Sequence, residues 1–451
     1  MTPRLHEGAL ERFRGALRFE TVSYDDRSKM DLREFSKFHS YLEKSFPIVH
    51  EKLKKETVAE HSLLYTWRGS DASLKPILLM AHIDVVPVER SKKDEWKHPP
   101  FGGAMEDGFI WGRGALDTKC SLIGILEAVE QLLKKKHEPL RSVMMAFGHD
   151  EEVGGGEGAS KTVELLESRG VELEYVLDEG GAIMSGDLFG IEPSVAGIGT
   201  AEKGLLNLEL TATGDDGHAA MPPEQTAAGK ICAAVAAIES NPFKARLTPV
   251  IKNLLYSVSA HMPLHRRLLF RNLWLFGGLV KIAFLKTPLT RSFVRTTAAV
   301  TQLEASDKAN TLPSEAKAVV NLRILVGETI STVTRRIQEL VGDEIEVRVM
   351  DELNHSNPVD ESNIESKGYR DIKKTIGELF PDAVTIPYIV SGATDSRQYA
   401  PLTDSIYRFV AMRLSPEELG LIHGINERIS IENYERLVDF FSLLIERSAA
   451  N

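Results

Sequence analysis

The sequence predicts an α/β protein in which a mostly parallel sheet is interrupted by an inserted α+β domain of the ferredoxin-like type. Two patterns support this prediction. Strand and helix signals alternate in the first part of the chain, and the order β-α-β-β-α-β follows between residues 205 and 350. Because 451 residues exceed what one ordinary core accommodates, we expect two domains.

The first part of the chain reads as a βαβ succession. Residues 76–81 form a continuous apolar run, typical of a strand buried on both faces of a parallel sheet. Residues 120–133 carry apolar side chains at helical spacing, and three lysines follow, which the helix dipole favours. Two further strands and the helix between them are predicted at residues 142–147, 174–177 and 159–168. In such sheets, ligands bind at the carboxyl ends of the strands.

A different succession of elements begins near residue 202. In chain order we predict a strand, a helix, two strands, a helix and a strand at residues 205–213, 225–240, 296–303, 315–325, 329–341 and 344–350. This is the order of the split βαβ motif. We therefore predict one domain formed by residues 1–201 and 354–451, with residues 202–353 inserted as the second domain.

Residues 246–295 do not fit that small motif. They are rich in leucine, phenylalanine and tryptophan, with arginine and lysine interspersed, and we expect a helical elaboration of the inserted domain. Packing within that domain or at a subunit interface is the preferred explanation of the apolar stripes. A groove for a fatty-acyl chain and contact with a membrane surface are the alternatives.

Composition and charge exclude several classes of protein. The net charge of -11 and the absence of a long basic run argue against a nucleic-acid partner. Two cysteines, Cys120 and Cys232, provide no disulfide framework, which is typical of a reducing compartment. The start of the chain has no signal-peptide core, and the most apolar stretch, residues 272–280, is far shorter than the roughly 20 residues that cross a bilayer. We expect a cytoplasmic protein without a transmembrane segment.

Side chains that bind metals follow several of the apolar runs. They are His82, Asp117, Glu151, Glu152, Asp178 and His423. A mixture of imidazole nitrogens and carboxylate oxygens suits a pair of divalent metals, zinc first, with cobalt or manganese as alternatives because affinity alone does not select the metal. The sequence therefore predicts a metal-dependent hydrolase.

Simpler structural explanations exist for these residues. A histidine after a strand is often a satisfied structural group, Asp117 could cap the following helix, and paired glutamates often lie in a solvated loop. We prefer metal binding because the ligands arrive at the ends of neighbouring strands. Asp84, on the same side of its strand as His82, is expected to orient that ring. Glu151 and Glu152 point apart, so one can bind metal while the other acts as a general base.

Six motifs occur in order along the chain: MAHIDVVPV, GRGALDTK, FGHDEEVGG, LDEGG, SGATDSR and IHGINERI. Together they resemble the M20 family of metallopeptidases over nearly the whole chain. The likeness is greatest to the branch of Gly-X carboxypeptidases and PM20D1-like N-acyl-amino-acid hydrolases. The resemblance implies a zinc-peptidase catalytic domain with a site for two zinc ions, and an inserted lid domain that often makes a homodimer.

The resemblance also implies roles for individual residues. One metal would be held by His82, Asp117 and Asp178, and the other by Asp117, Glu152 and His423. Glu151 would be the general base and Asp84 the partner of His82, and the peptide bond after Asp117 would be cis. Side chains that meet the substrate would be His218, from the lid and often from the partner subunit, with Asn310, Arg323, Thr394 and Arg397. For either arginine a structural ion pair is an equal alternative.

The expected reaction is hydrolysis of an amide bond next to a free C-terminal carboxylate, which an arginine fork can bind with two hydrogen bonds. The substrate would be a small molecule, either an N-acyl amino acid or a short peptide, and the reverse condensation is possible. Two rival functions remain open. One is an aminopeptidase or dipeptidase that requires a free amino terminus, and the other is a catalytically silent metal-binding scaffold.

Overall fold

A computed structural model of the protein describes residues 8–350 and 355–450. Within these residues the α-helices are, in chain order, α1 (Ala9–Ala16), α2 (Leu32–Ser45), α3 (Pro47–Lys52), α4 (Lys119–Lys134), α5 (Ala159–Ser168), α6 (Ala227–Ser240), α7 (Pro249–Ser259), α8 (Leu264–Arg271), α9 (Leu273–Phe284), α10 (Pro288–Val294), α11 (Ile330–Val341), α12 (Lys367–Leu379), α13 (Pro416–Leu419) and α14 (Ile431–Ala449).

The β-strands of the same residues are β1 (Lys54–Val58), β2 (Ser62–Trp67), β3 (Ile77–His82), β4 (Ala104–Glu106), β5 (Phe109–Trp111), β6 (Val143–Gly148), β7 (Tyr175–Asp178), β8 (Ile183–Met184), β9 (Ser194–Glu202), β10 (Gly204–Thr213), β11 (Gly217–His218), β12 (Thr297–Glu304), β13 (Thr311–Leu312), β14 (Glu315–Ile324), β15 (Ile345–Val349), β16 (Ala383–Val390), β17 (Ile406–Arg408) and β18 (Arg428–Ser430).

The largest sheet has the strand order β1-β2-β6-β3-β7-β17-β9-β16, with β8 beside β9. Its central strands β6, β3, β7 and β17 run parallel to one another. β3 and β6 are buried along their whole length, since α4 and α14 cover one face of the sheet and α5 covers the other. Burial on both faces explains the continuous apolar runs in the sequence.

The second sheet is antiparallel, with the order β12-β14-β10-β15. Helices α6 and α11 pack against it around a separate apolar core. In chain order the unit reads β10-α6-β12-β14-α11-β15, the ferredoxin-like succession expected from the sequence. The α/β fold class is confirmed, while the exact domain limits stay a prediction, and the predicted junction at residues 353 and 354 lies outside the described residues.

Helices α7 to α10 occupy most of the segment that did not fit the small motif. α7 packs on β16 at the edge of the large sheet, and residues from α7, α9 and α10 share a third apolar core with β9 and β16. In the part of the chain that is described, no helix combines the length and the apolar character that a membrane crossing requires.

Candidate metal centre

Three neighbouring strands deliver acidic and imidazole side chains to one edge of the large sheet. β3 ends at His82, β6 leads into a single 3-10 turn that contains Glu151 and Glu152, and β7 ends at Asp178, which Glu179 follows. β6, β3 and β7 are adjacent and parallel, so their carboxyl ends meet at this edge, where open α/β sheets bind ligands.

Asp117 lies between the two histidines. Its Oδ1 is 3.0 Å from Nε2 of His82, and its Oδ2 is 2.9 Å from Nε2 of His423. Each carboxylate oxygen of this residue therefore faces a different imidazole. The peptide bond between Asp117 and Thr118 is cis, as the family resemblance implies.

Two groups of candidate ligand atoms form around this pair of contacts. The first contains His82, Asp117 and Glu152, and the second contains His82, Glu151 and Glu179, with all ligand atoms of a group within 4.8 Å of one another. His423 joins the first group, since its Nε2 lies 3.1 Å from Oε2 of Glu152. The structure thus brings together five of the six predicted metal-site side chains.

Asp178 is the exception among the predicted ligands. Its Oδ2 accepts a hydrogen bond of 2.9 Å from the backbone N–H of Ser396, and neither group of candidate ligands among the described residues includes it. The next residue, Glu179, instead places its Oε1 3.4 Å from Nε2 of His82 and lines the cleft. Successive side chains of an extended strand point to opposite sides, so only one of these two acids can face His82. Glu179 is therefore the acid of this pair whose carboxylate faces His82.

Asp84 contacts both the His82 ring and the turn that carries the two glutamates. Nδ1 of His82 is 2.9 Å from the backbone oxygen of Asp84 and 3.5 Å from its carboxylate. A carbonyl oxygen can only accept, so this contact places a hydrogen on Nδ1 and directs Nε2 towards Asp117 and Glu179. The buried carboxylate of Asp84 accepts hydrogen bonds from the backbone N–H groups of Glu151 and Glu152, both of 3.2 Å. It therefore positions the glutamate turn as well as the ring.

Glu427 is a residue of this site that the sequence reasoning missed. It is fully buried, and its Oε1 accepts hydrogen bonds from the backbone N–H groups of Leu116, at 2.8 Å, and Asp117, at 3.2 Å. Its Oε2 lies 2.6 Å from Nη1 of Arg113, whose Nη2 donates to the backbone oxygen of His423 at 3.1 Å. Glu427 and Arg113 thus fasten the Asp117 loop to the His423 loop. The available signal was an acid four residues after the histidine in the motif IHGINERI.

The turn that carries the glutamates depends on close packing. Asp150 accepts hydrogen bonds from the backbone N–H groups of Glu157 and Gly158, each of 2.8 Å, and Arg27 donates to the same carboxylate at 3.0 Å. Gly155 has a positive φ of 70° and lies against Asp395, so that a Cβ atom there would collide with the Asp395 carboxylate. A glycine is therefore required at this position.

The electrostatics of the cluster call for bound cations. Burial raises the pKa of Glu151 and of Glu179 well above the usual value, and neighbouring carboxylates add to the effect. Hydrogen bonds to Asp117 and Glu152 raise the pKa of His423 to about 10. Although burial acts in the opposite direction, Glu179 and Asp117 raise the pKa of His82 well above its usual value. So many buried carboxylates repel one another unless positive charge lies between them.

The donor set fits divalent metal ions. Oε1 of Glu152 is buried and has no hydrogen-bond partner among the described residues, although its other oxygen contacts His423. A buried carboxylate oxygen without a donor costs free energy that a cation recovers. Imidazole nitrogen and carboxylate oxygen are the ligands of catalytic zinc sites, and they also suit other transition metals.

The candidate ligands His82, Asp117, Glu151, Glu152, Glu179 and His423 are called the metal-type cluster below. This cluster lies at a cleft of about 660 Å³. The remaining polar lining is Asn207, Asn321, Arg323, His355, Ser356, Ser391, Thr394 and Arg397. The apolar lining is Leu116, Ala182, Leu205, Tyr388, Val390, Ala393, Val410, Met412, Leu414, Leu419 and Ile422. The cleft therefore offers a polar side, supplied in part by the second sheet, and an apolar side supplied mainly by the large sheet and the loop before His423.

The two predicted arginines differ in what they contact. Arg397 donates to the backbone oxygens of Thr394, at 3.0 Å, and Gly154, at 2.9 Å, so its guanidinium braces two loops. Arg323 makes one longer contact, 3.5 Å, to the backbone oxygen of Ser391. The hydroxyl of Thr394 donates to Glu202 at 2.8 Å. Both arginines line the cleft, and Arg323 has fewer of its donors bound to protein groups.

His218 and Asn310 lie together but away from the cleft. His218 belongs to β11, which pairs with β13, and the backbone oxygen of Asn310 accepts from the N–H of Ala219 at 3.1 Å. Both side chains are exposed, and neither lines the cleft. Within one chain, the structure does not bring these two residues to the metal-type cluster.

Comparison with known proteins agrees with this geometry. The chain is 39% identical to a probable carboxypeptidase S-like 2 of Dictyostelium discoideum, over 97% of this chain and 84% of the relative. It is 40% identical to the N-fatty-acyl-amino acid synthase/hydrolase PM20D1 of Xenopus tropicalis, over 97% of this chain and 85% of the relative. The crystal structure of an M20 family metallo-carboxypeptidase, Sso-CP2 from Sulfolobus solfataricus, superposes with a TM-score of 0.71 at 17% identity, covering 98% of this chain and 99% of that one.

The sequence profile of Peptidase family M20/M25/M40 matches residues 78–447, most of the chain. This match confirms the resemblance inferred from the motifs, and it confirms the expectation of a metallopeptidase or amidohydrolase. The chain belongs to peptidase family M20/M25/M40, a family of metal-dependent enzymes.

Proposed function

We propose that this enzyme hydrolyses the amide bond of N-acyl amino acids, or of peptides, next to a free C-terminal carboxylate, with two divalent metals. The position of Asp117 carries the proposal, because its two carboxylate oxygens face two different histidines at 3.0 Å and 2.9 Å. A carboxylate in that position suits a bridge between two metals. Pairs of metals about 3.5–4 Å apart serve hydrolytic reactions in several enzyme families.

We assign His82, Glu179 and one oxygen of Asp117 to the first metal, and His423, Glu152 and the other oxygen to the second. Zinc is the first candidate, with cobalt or manganese as alternatives. When bound, such metals lower the pKa of a water and polarise a carbonyl oxygen. The backbone oxygen of Asp84 fixes the tautomer of His82 that this arrangement requires.

Glu151 is the proposed general base. Its neighbour Glu152 contacts His423, whereas Glu151 lines the cleft, so the two acids have different surroundings. In the proposed step, a water oxygen bonds to the amide carbon while Glu151 takes one of its protons. Glu151 then delivers that proton to the amide nitrogen as the carbon–nitrogen bond breaks, which releases a carboxylic acid and the amino acid.

Arg323 is the proposed contact for the substrate carboxylate. Arg323 lies on the polar side of the cleft, on β14 of the second sheet. It makes one long contact to a backbone oxygen, whereas Arg397 makes two shorter ones. Among the described residues, the acids that line the cleft all belong to the metal-type cluster. An ammonium group would therefore find no separate acidic partner there, which disfavours the aminopeptidase alternative.

The apolar side of the cleft suits an acyl chain. Tyr388, Val390, Met412, Leu414 and Ile422 line it. The name of the Xenopus tropicalis relative describes synthesis and hydrolysis of N-fatty-acyl amino acids, and this supports the same substrate class here. With high concentrations of amine and fatty acid, the same site would run in the condensing direction.

His218 completes the proposed site only from a second copy of the chain. It is exposed and lies away from the cleft of its own chain. β12 is the edge strand of the second sheet, and the exposed face of α6 beside it carries small residues, including Cys232 and Ala233. We propose a homodimer through this lid, in which His218 of one protomer stabilises the oxyanion at the other site.

We also propose a cytoplasmic location. Both cysteines are free, which supports this proposal.

The test is a substrate panel combined with metal analysis. N-acyl amino acids of increasing acyl length are compared with their C-terminal amides and with free-amine dipeptides of the same sequence. We expect turnover of the acids, little turnover of the amides, and about two metals per chain by atomic absorption. Glu151→Gln is the control and should keep the metals but lose at least about 100-fold in rate.

Other outcomes would contradict the proposal. Strict dependence on a free amine would replace it by the aminopeptidase alternative, and absence of both metal and turnover would favour the silent scaffold. For the carboxylate contact, Arg323→Ala should raise KM for the acids far more than for the amides. Equal effects on both substrates would remove Arg323 from that role.

A further inference from the structure

Helix α9 (Leu273–Phe284) has two apolar faces, and only one of them is buried. Leu273, Gly277 and Val280 pack into the core formed with α7 and the edge of the large sheet. The opposite face is exposed, and Trp274 has 84% of its surface accessible. The other exposed apolar side chains of α8 and α9 are Leu264, Leu268, Leu275, Leu279 and Ile282. A helix that is apolar all round is normally covered on all sides, in a core or a membrane.

The same region has a charge opposite to that of the rest of the chain. Residues 240–303 contain ten lysines and arginines and no aspartate or glutamate, although the whole chain has a net charge of -11. Arg266, Arg271 and Lys286 are exposed, and none of them forms a salt bridge with a described residue. The exposed apolar face is therefore bordered by free positive charge.

The exposed apolar side chains and the basic side chains beside them together indicate what binds to this face of α8 and α9. A second copy of the chain would bring an equally basic surface against the first, and like charges in contact oppose association. Nucleic acid would meet the positive charge but leave the leucines and Trp274 uncovered. An anionic lipid surface satisfies both features, since phosphate groups pair with the basic side chains while apolar side chains enter the acyl boundary.

We propose that α8 and α9 form a docking surface for anionic phospholipid bilayers, with α9 lying in the interface plane. Trp274 is suited to the level of the headgroups, where tryptophan is enriched in membrane proteins. The docking surface packs against the rest of the enzyme, because α7 contacts both α8 and β16, and α10 contacts α9. Phe293 of α10 in turn contacts Tyr388, with ring centroids 5.6 Å apart. Tyr388 also lines the cleft, so the docked region is continuous with the wall of the site.

The tryptophans of the chain provide a direct readout. Of the four, Trp67, Trp96 and Trp111 are 7%, 8% and 7% exposed, so a vesicle-dependent change in emission reports Trp274. The full-length, metal-loaded protein is mixed with vesicles of phosphatidylcholine alone or of phosphatidylcholine with phosphatidylserine, and binding is measured by flotation. We expect binding and a blue shift of emission with the anionic vesicles, weakened by salt, and at least ten-fold less binding to the neutral ones.

Two variants separate the apolar and charged contributions. Leu279→Gln with Ile282→Gln should abolish the blue shift, and Arg266→Gln with Arg271→Gln should weaken anionic binding by about 25-fold, since each charge contributes about five-fold. Matched controls are Met105→Gln, an exposed apolar residue on β4, and Arg335→Gln, an exposed arginine on α11, and both should bind as the unchanged chain does. Hydrolysis of a short-chain, water-soluble substrate should be the same in all variants.

Several results would overturn the proposal. The first is that the unchanged chain does not bind anionic vesicles. The second is that the Leu279 and Ile282 variant binds them as well as the unchanged chain, and the third is that the unchanged chain binds neutral and anionic vesicles equally. If sedimentation in the absence of lipid shows self-association that this variant loses, the face is an interface between copies. Saturable binding to an acidic soluble protein without vesicle binding would assign the face to a protein partner.

Discussion

Glu427→Gln tests whether the clamp between two loops positions the metal ligands. In the folded chain, Glu427 Oε1 accepts from the backbone N–H groups of Leu116 and Asp117, and Oε2 pairs with Arg113 at 2.6 Å. A glutamine amide can keep the two backbone hydrogen bonds through its oxygen, but its NH₂ group then faces the Arg113 guanidinium. The substitution therefore removes the partner of a buried arginine that also donates to the backbone oxygen of His423.

The magnitude follows from burial. The side chains of Arg113 and Glu427 are 4% and 0% exposed, and breaking a buried pair of this kind costs about 3–5 kcal/mol because one charge stays uncompensated. The arginine can escape that cost only by moving, which displaces the His423 loop. Loss of a residue that orients metal ligands weakens metal binding by about 10- to 100-fold, equivalent to about 1.4–2.7 kcal/mol.

The assay measures stability and metal binding separately. Urea unfolding of the chelated protein gives the change in the free energy of unfolding without metal linkage, and competition with a chelator gives the metal affinity. The matched control is Glu127→Gln, another buried glutamate, whose carboxylate accepts two hydrogen bonds from Arg12 far from the cleft. It should lose comparable stability and keep its metal affinity. Equal metal affinity in both variants would refute the idea that the clamp positions the ligands.

Three further predictions follow from the contacts described above. Glu179→Gln should lower metal affinity by more than about 100-fold, whereas Asp178→Asn, which can still accept from the backbone of the neighbouring loop, should keep it; the reverse result in metal analysis would restore the original ligand assignment. A one-to-one mixture of His218→Ala and Glu151→Gln should recover about a quarter of the normal rate if His218 acts across a dimer, since half of the dimers are mixed and each has one intact site; a mixture as inactive as its components would contradict action across the dimer. Burial raises the pKa of Asp439 to about 6. Between about pH 4 and 6, the Asp439 carboxyl therefore keeps its proton in the folded chain but has lost it in the unfolded chain. Ionising the buried carboxyl destabilises the fold, and this effect is complete only above about pH 6. Asp439→Asn should accordingly stabilise the chain by about 1–3 kcal/mol at pH 7.5 and by little at pH 4, as measured by urea unfolding.

The parts of the fold that sequence patterns predicted are those with strong periodicity. The predicted strand at residues 76–81 is β3 at Ile77–His82, and the predicted helix at residues 159–168 is α5. Those elements are long, uniformly buried or clearly amphipathic, so the pattern is unambiguous. β17, in contrast, has three residues and ends in the fully buried Arg408, which pairs with Glu202 at 2.7 Å. A charged residue inside a short strand leaves no apolar run to recognise.

The site was predictable in composition but not in every assignment. The carboxyl ends of the parallel strands β3 and β6 bring His82 and Glu152 together, as the topology predicts, whereas Asp117 arrives from the loop before α4. The choice between Asp178 and Glu179 depended on a side-chain direction, which reverses from one residue to the next along a strand. Both acids occur in the motif LDEGG, so the motif alone could not decide between them.

The sequence pattern could not predict that one apolar face of α9 is exposed. The apolar stripe of residues 246–295 suggested burial, and one face of α9 is indeed buried. Whether the remaining face is also covered depends on how many elements pack there, which periodicity does not encode. The acid-free composition of residues 240–303 was visible in the sequence, but its meaning appears only when the exposed leucines are located beside the arginines.

The two walls of the cleft come from units that are joined by a ribbon of paired chain, in addition to the apolar core that α7, α9 and α10 share with β9 and β16. Glu202 and Val359 exchange two backbone hydrogen bonds, and Leu205 and Ser356 exchange two more, so the outgoing and returning chains run side by side. At Gly204, between these pairs, a Cβ atom would lie 2.5 Å from the backbone oxygen of Ser356, which leaves room for glycine alone. The metal ligands lie on one side of this ribbon and Arg323 on the other. The distance from a substrate carboxylate at Arg323 to the metals therefore depends in part on the ribbon. Substitution of Gly204 by alanine should impair turnover without changing a single group that touches the substrate.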